Sequence, residues 1–221
     1  MLDHISGGRL NFGIAASGLP SDWAMFNVDG MSGANRDMTR EALDIILKLW
    51  SSTEPFDYKG KFWHVTKPDT MFGFLKPHIK PLQTPHPPIG VAGLSKGSDT
   101  LKLAGEKGYI PMSLNLNPAY VKSHWESVEI GAAKSGRTPD RNEWRMVREV
   151  FVADTDEEAM QLSVGSGMGR MMREYFLPLL SQFGFFEYLK HDAGAAEVVA
   201  CDIDPASLAA CAANAALNKV S

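Results

Sequence analysis

A glycine turn, Ser6-Gly7-Gly8, runs directly into the short apolar segment Leu10-Asn11-Phe12-Gly13-Ile14. Later, Pro88-Ile89-Gly90-Val91-Ala92 runs straight into a polar loop, Gly93-Leu94-Ser95-Lys96-Gly97-Ser98. Apolar runs that end in glycine and serine loops and then give way to helical periodicity are the pattern of a parallel α/β protein. A strand this close to Met1 predicts that the chain starts part-way through such a fold.

Period divides the chain into about four strand-helix units and a tail. Leu10 to Ala15 is the first predicted strand. Residues 35–50 are a helix, with Leu43, Ile46, Leu47 and Trp50 recurring on one face. Phe56 to Val65 alternates aromatic and polar residues around Lys59-Gly60 and predicts a small hairpin. Residues 67–88 hold many of the prolines and form a long loop, of the kind that serves as a lid or binding loop. Residues 89–92 and 98–107 make the second strand and helix. Residues 109–114 and 118–134 make the third, with Asn117 a plausible N-cap and Gly136 just past the end. Residues 145–153 are the fourth strand, capped by Asp154 and Thr155 before a helix from Asp156.

Composition narrows the function classes. A net charge of −4 leaves no basic stripe, so no nucleic acid or anionic membrane is expected as partner. No apolar run is long enough to cross a bilayer, and the first residues lack a signal-peptide pattern, so a cytoplasmic location is expected. The two cysteines, Cys201 and Cys211, offer neither a disulfide framework nor a cysteine-rich zinc site. His4, His64, His78, His86, His124 and His191 form no i, i+4 pair and show no ligand spacing with carboxylates, so no metal is expected. His78 and His86 flank prolines in the long loop and could approach a substrate; surface histidines are the commoner case. The tryptophans read as packing residues, and so does the methionine face of Met168, Met171 and Met172.

The segment "SGGRLNFGI", then Phe26, Arg36, Glu41 and the helix bearing Trp50, the "FDYKGKFW" hairpin, and "PHPPIGVAGLS" follow one another in an order that resembles the luciferase-like flavin-dependent monooxygenases. "ASGLPSDWAMFNVDG" is most similar to the limonene 1,2-monooxygenase branch. The resemblance runs over residues 1–192. It implies a partial (β/α)8 TIM barrel whose four units are the fourth to seventh of eight, the first three strands and the last lying outside the chain.

A barrel sets its chemistry at the carboxyl ends of its strands. Arg9 opens its strand, which favours a structural ion pair at the opposite face. Ala16, Ser17 and Gly18 follow the other end of that strand, where small residues permit close approach of a flavin. Arg36 enters a helix after the loop from Gly30 to Gly33; it either binds phosphate, as the resemblance implies, or pairs with Asp37 or Glu41. Gly93, Leu94, Ser95 and Ser98 join a strand end to a helix start, where free amides converge on one point. The alternative there is an ordinary turn with Ser98 as N-cap.

From Ala193 the text changes to "AGAAEVVACDIDPASLAACAANAALN". Residues 193–221 resemble a fragment of a class I methyltransferase of the ribosomal protein L11 type, with Asp202 at the end of a strand where such enzymes hold ribose hydroxyls. The glycine loop of that fold is absent, so a foreign strand-helix tail without methyl transfer is expected. A native strand and helix of similar composition is the alternative.

The resemblance implies a two-component monooxygenase. FMN or FAD, reduced by a separate flavin reductase, would form a flavin hydroperoxide and oxygenate a small apolar substrate such as a terpene. The alternative is a non-catalytic truncated or chimeric remnant that at most binds flavin phosphate weakly. A four-strand sheet has two edges, and inward side chains such as Leu10, Phe12, Ile89 and Val91 would lack cover, so a homo-oligomer is expected.

Overall fold

The short apolar runs become parallel neighbours. The computed structural model describes residues 1–76, 79–114, 118–147 and 150–182. These divide into two units, Met1–Val147 and Arg148–Ser221. In the first unit, β1 (Phe12–Gly13), β4 (Ile89–Gly93), β5 (Ile110–Leu114) and β6 (Arg145–Val147) form one sheet in the order β1-β4-β5-β6. Every pairing in it is parallel: Phe12 lies opposite Ile89, Gly90 opposite Ile110, and Met112 opposite Arg145. A separate antiparallel hairpin joins β2 (Phe56–Lys59) to β3 (His64–Lys67).

The helices of this unit are α1 (Leu2–Ile5), α2 (Pro20–Met25), α3 (Ala34–Ser51), α4 (Asp99–Lys107) and α5 (Pro118–Lys134). Their ends follow local chemistry. The Ser98 hydroxyl accepts the Leu101 amide at the start of α4, and Gly108 ends that helix at φ 73°. Gly136, at φ 66°, lies just past α5, as the sequence predicts. Asn117 lies outside the described residues.

Helix faces and one sheet face build the core. Leu43 of α3, Ala104 of α4, and Ile89 and Val91 of β4 are buried together, with Phe12, Ile14, Leu47, Trp50 and Tyr109 packed around them. A second cluster joins Leu101 and Val128 to Trp125 and Trp144. Burying each large aliphatic side chain contributes about 1.5–3 kcal/mol. Helices α4 and α5 cross with their backbones in contact. A Cβ on Gly105 would stand 1.9 Å from the Val128 carbonyl oxygen, and one on Gly131 1.8 Å from that of Lys102. Only glycine permits this approach.

The structure corrects which residues face the inside of the sheet. Ile89 and Val91 are not uncovered: they are 1% and 3% exposed and pack on the helices. Phe12 stacks edge-on against Trp50 at 5.3 Å, and Leu10 is half-buried. The opposite face carries the alternate residues, Gly90 and Ala92 of β4 beside Met112 and Leu114 of β5. A parallel strand flanked by helices puts its branched aliphatics on the helix side, and period alone does not say which side that is.

Two predicted strands are shorter than expected. β1 spans two residues, although the Phe12 and Ile14 amides also bond the Pro88 and Gly90 carbonyls. Arg145 starts the fourth strand, which ends at Val147, and residues 150–153 are irregular. The predicted ion pair of Arg9 is not formed among the described residues; its Nε donates to the Ser6 carbonyl at 2.7 Å.

The long loop is tied at its base and open at its tip. Lys67 Nζ donates to the carbonyls of Ser52, Thr53 and Glu54, and Lys80 Nζ to those of Leu49 and Ser52, so two ammonium groups cap the carboxyl end of α3. Gln83 anchors to the buried carboxylate of Asp3 at 2.8 and 2.9 Å. Between these ties, Met71 and Leu75 pair across a turn whose Phe72 and Phe74 stand exposed.

The second unit contains α6 (Asp156–Val164), α7 (Gly167–Met171), a π-helical turn (Met172–Phe176) and α8 (Leu177–Gln182). Thr155 caps α6 by accepting the Glu158 amide. Met168 and Met171 are exposed rather than packed. The predicted tail, residues 193–221 with Asp202, lies outside the described residues. No helix among the described residues is long and apolar enough to cross a membrane.

Candidate functional site

Because β1 and β4 run parallel in register, the segments that follow them leave the sheet at the same edge. These are residues 14–18 and 93–98. The start of α3 reaches the same edge, since Asn35 Nδ2 donates to the Ser17 carbonyl at 2.7 Å. The sequence candidates Ala16, Ser17, Gly18, Arg36, Gly93, Leu94, Ser95 and Ser98 are thus all carried on segments at the carboxyl ends of two adjacent strands or tied to them.

The loop 93–98 is held from three directions. Ser98, 3% exposed, caps α4 with its hydroxyl oxygen. The Gly97 amide donates to Ser123 Oγ at 3.1 Å, and Ser123 in turn donates to the Tyr120 carbonyl. The Ser95 carbonyl accepts from His124 Nε2 at 3.1 Å. Gly93 and Ser98 are buried, whereas Ser95 and Lys96 are exposed, and their amides have no acceptor among the described residues. The loop therefore offers two free amides, a hydroxyl and an ammonium at the entry to a nine-residue helix, an arrangement that favours an anion.

The segment after β1 is committed to its own turn. The Ser17 hydroxyl donates to Asp22 and accepts the Leu19 amide, and its carbonyl also takes the Trp23 indole. Gly18 is exposed and Ala16 half-buried. Ser17 thus serves the turn with its side chain, and Ala16 and Gly18 present backbone and small surface.

Arg36, in the first turn of α3, is exposed and makes neither an ion pair nor a side-chain hydrogen bond among the described residues. The carboxylates it could have paired with are engaged elsewhere. Asp37 pairs with Arg40 at 3.2 Å and Lys61 at 3.6 Å. Glu41 accepts the amides of Lys61, Phe62 and Trp63 at 3.0–3.2 Å, fastening the β2–β3 turn to α3. One residue before Arg36, the Asn35 Oδ1 atom is buried without a hydrogen-bond partner. Arg36 thus has a guanidinium free for an anion, and Asn35, one residue earlier in the helix, has a buried acceptor that lacks a donor.

Sequence reasoning set His124 aside and passed over Lys96. His124 is 0% exposed, and burial pushes its imidazole below the ordinary histidine range. Its Nδ1 meets Ser113 Oγ at 3.1 Å, and Ser113 also takes the Trp144 Nε1–H at 2.8 Å. The one signal in the sequence was the run of Ser123, His124 and Ser127 among Trp125 and Val128, polar groups on a face that packs inward.

Two other concavities lie elsewhere in this unit. A cavity of about 160 Å³ borders Tyr109, Ile110 and Arg137 at the amino end of β5. A groove of about 530 Å³ borders Trp125, Arg141 and Trp144, with the guanidinium 5.6 and 5.5 Å from the two rings. Among the described residues no cluster of histidine, cysteine and carboxylate could hold a metal ion.

A parallel α/β sheet with a polar loop at the carboxyl edge of its strands has the architecture of the α/β proteins that bind ligands at strand ends. The sequence profile described as Luciferase-like monooxygenase matches residues 1–215, and the chain belongs to that family. The match takes in most of the alanine-rich tail. The chain is 32% identical over 217 residues to 2,5-diketocamphane 1,2-monooxygenase 1 of Pseudomonas putida, covering 94% of this chain and 56% of the relative. It is 30% identical over 169 residues to limonene 1,2-monooxygenase of Rhodococcus erythropolis, covering 72% and 39%. The diketocamphane enzyme thus aligns over more of the chain than the limonene enzyme does. Among solved structures, the oxygenating constituent of 3,6-diketocamphane monooxygenase from the CAM plasmid of Pseudomonas putida, a type II Baeyer–Villiger monooxygenase in complex with FMN, superposes with a TM-score of 0.77 at 33% identity, over 90% of this chain and 55% of that one. The chain spans about half the length of the relatives it matches.

Proposed function

We propose that the chain carries the phosphate-binding part of an FMN site in a two-component monooxygenase that oxygenates a small apolar substrate. The observation that carries the reading is the free guanidinium of Arg36, on a helix tied to one strand end, together with the free amides of Ser95 and Lys96 at the adjacent strand end. These donors fit a phosphate, and the unpartnered Asn35 Oδ1 fits a ribityl hydroxyl. FMN is favoured over FAD because a related structure holds FMN. A separate flavin reductase is the partner implied by a relative described as an oxygenase component, that of the trigonelline monooxygenase. The substrate class follows from relatives named for diketocamphane and limonene.

Reduced flavin supplies the electrons that activate dioxygen. The residues of this chain bind and orient it: Arg36, Ser95 and Lys96 hold the phosphate, Ser17, Ala16 and Gly18 give backbone approach, and Ser98, Gly93 and Leu94 shape the loop. Truncating Arg36 removes a charge-assisted pair worth about 1.5–3 kcal/mol. Arg36→Ala is therefore expected to weaken FMN binding roughly 10- to 150-fold in a fluorescence titration. Binding indifferent to that change would refute the assignment.

A further inference from the structure

We infer that His124 is a positioning residue: through its Nε2–H it holds the Ser95 carbonyl, and so sets the Ser95 and Lys96 amides outward for a phosphate. The inference rests on the phosphate reading of this loop given above. Helix α5 approaches the loop with two successive side chains, Ser123 at the Gly97 amide and His124 at the Ser95 carbonyl. A carbonyl and an amide two residues apart are thereby fixed from the same helix, and the Lys96 N–H, trans to the Ser95 carbonyl in their shared peptide plane, is turned away from that helix with the Ser95 N–H next to it in the chain.

The proton order of the network is forced by its ends. The Trp144 indole can only donate, and the Ser95 carbonyl can only accept. A neutral His124 must therefore carry its proton on Nε2, and its Nδ1 accepts the Ser113 hydroxyl, whose oxygen takes the Trp144 N–H. Burial disfavours the charged imidazole, so the neutral form is the one present. Ser113 and Trp144 thereby select the tautomer that grips the loop. The arrangement joins the loop after β4, β5, α5 and the residue before β6 at one point. A histidine that only filled space would need neither the hydroxyl nor the indole.

The test compares FMN with riboflavin, which differ in the phosphate alone. Wild-type protein is expected to prefer FMN. His124→Leu removes the donor to Ser95 while keeping side-chain bulk, and should reduce that preference about tenfold with riboflavin affinity unchanged. His124→Gln, whose amide can reach the same carbonyl, should keep the preference within about threefold of wild type. Ser113→Ala, which frees the tautomer, should give a loss in the same direction even where the leucine variant does not fold. Parallel loss of both ligands, or an unchanged ratio in whichever of His124→Leu and Ser113→Ala folds, overturns the positioning role. Equal affinity of the wild type for the two flavins overturns the phosphate reading itself, and the inference with it.

Discussion

At the scale of single residues, one carboxylate decides how much of the site is free. Glu41, nearly buried on α3, satisfies three consecutive amides at the turn between β2 and β3, and a Cβ on Gly60 would collide with its Oε1 at 1.8 Å. That engagement, with the pairing of Asp37 to Arg40 and Lys61, leaves Arg36 available. Glu41→Gln puts an amide NH2 against amide donors and removes the charge from these bonds. The expected cost is about 1.5–3 kcal/mol, or roughly 3–12 °C in Tm for a protein of this size. Thermal unfolding of the variant at an unchanged temperature would contradict the structural role given to Glu41. None of this was readable in the sequence. Arg36 and Glu41 are five residues apart, one beyond the spacing that pairs charges on a helix face, and the amides that Glu41 holds lie about twenty residues away in a hairpin.

At the scale of elements, the sequence carried most of the order. Glycine and serine punctuation located the four parallel strands, the hairpin and the three long helices of the first unit, because each of those signals is local. Ser98 and Thr155 were readable as caps for the same reason. Strand orientation was not. Ile89 and Val91 alternate with Gly90 and Ala92, and nothing in the alternation says whether helices or the opposite side of a barrel cover the larger pair. The structure assigns them to the helices, leaving a smoother face of glycine, alanine and methionine. His124 escaped notice for a related reason. Its partners come from positions 95 and 113, and the Trp144 that fixes Ser113 lies 31 residues beyond it. Sequence spacing within one helix shows no trace of such a meeting.

At the scale of the whole molecule, β1 and β6 are edge strands of the described sheet, each paired on one side only. Edges with free amides and carbonyls invite another chain. Leu114 and Val147, 38% and 48% exposed, add apolar surface near one of them. We propose that a second copy of the chain covers these edges, so sedimentation at micromolar concentration should give a dimer or larger species. A compact monomer that binds no hydrophobic dye would contradict this. The central claim, that a flavin phosphate is held where β1 and β4 end, is tested most directly by nitrogen-15 NMR of the labelled protein titrated with FMN and, separately, riboflavin. The account predicts that FMN shifts the amides of Ser95 and Lys96 and the Nε of Arg36, and that riboflavin leaves these three signals in place. Shifts confined to the indoles of Trp125 and Trp144, with the loop and Arg36 unmoved, would place the ligand in the aromatic groove and contradict it.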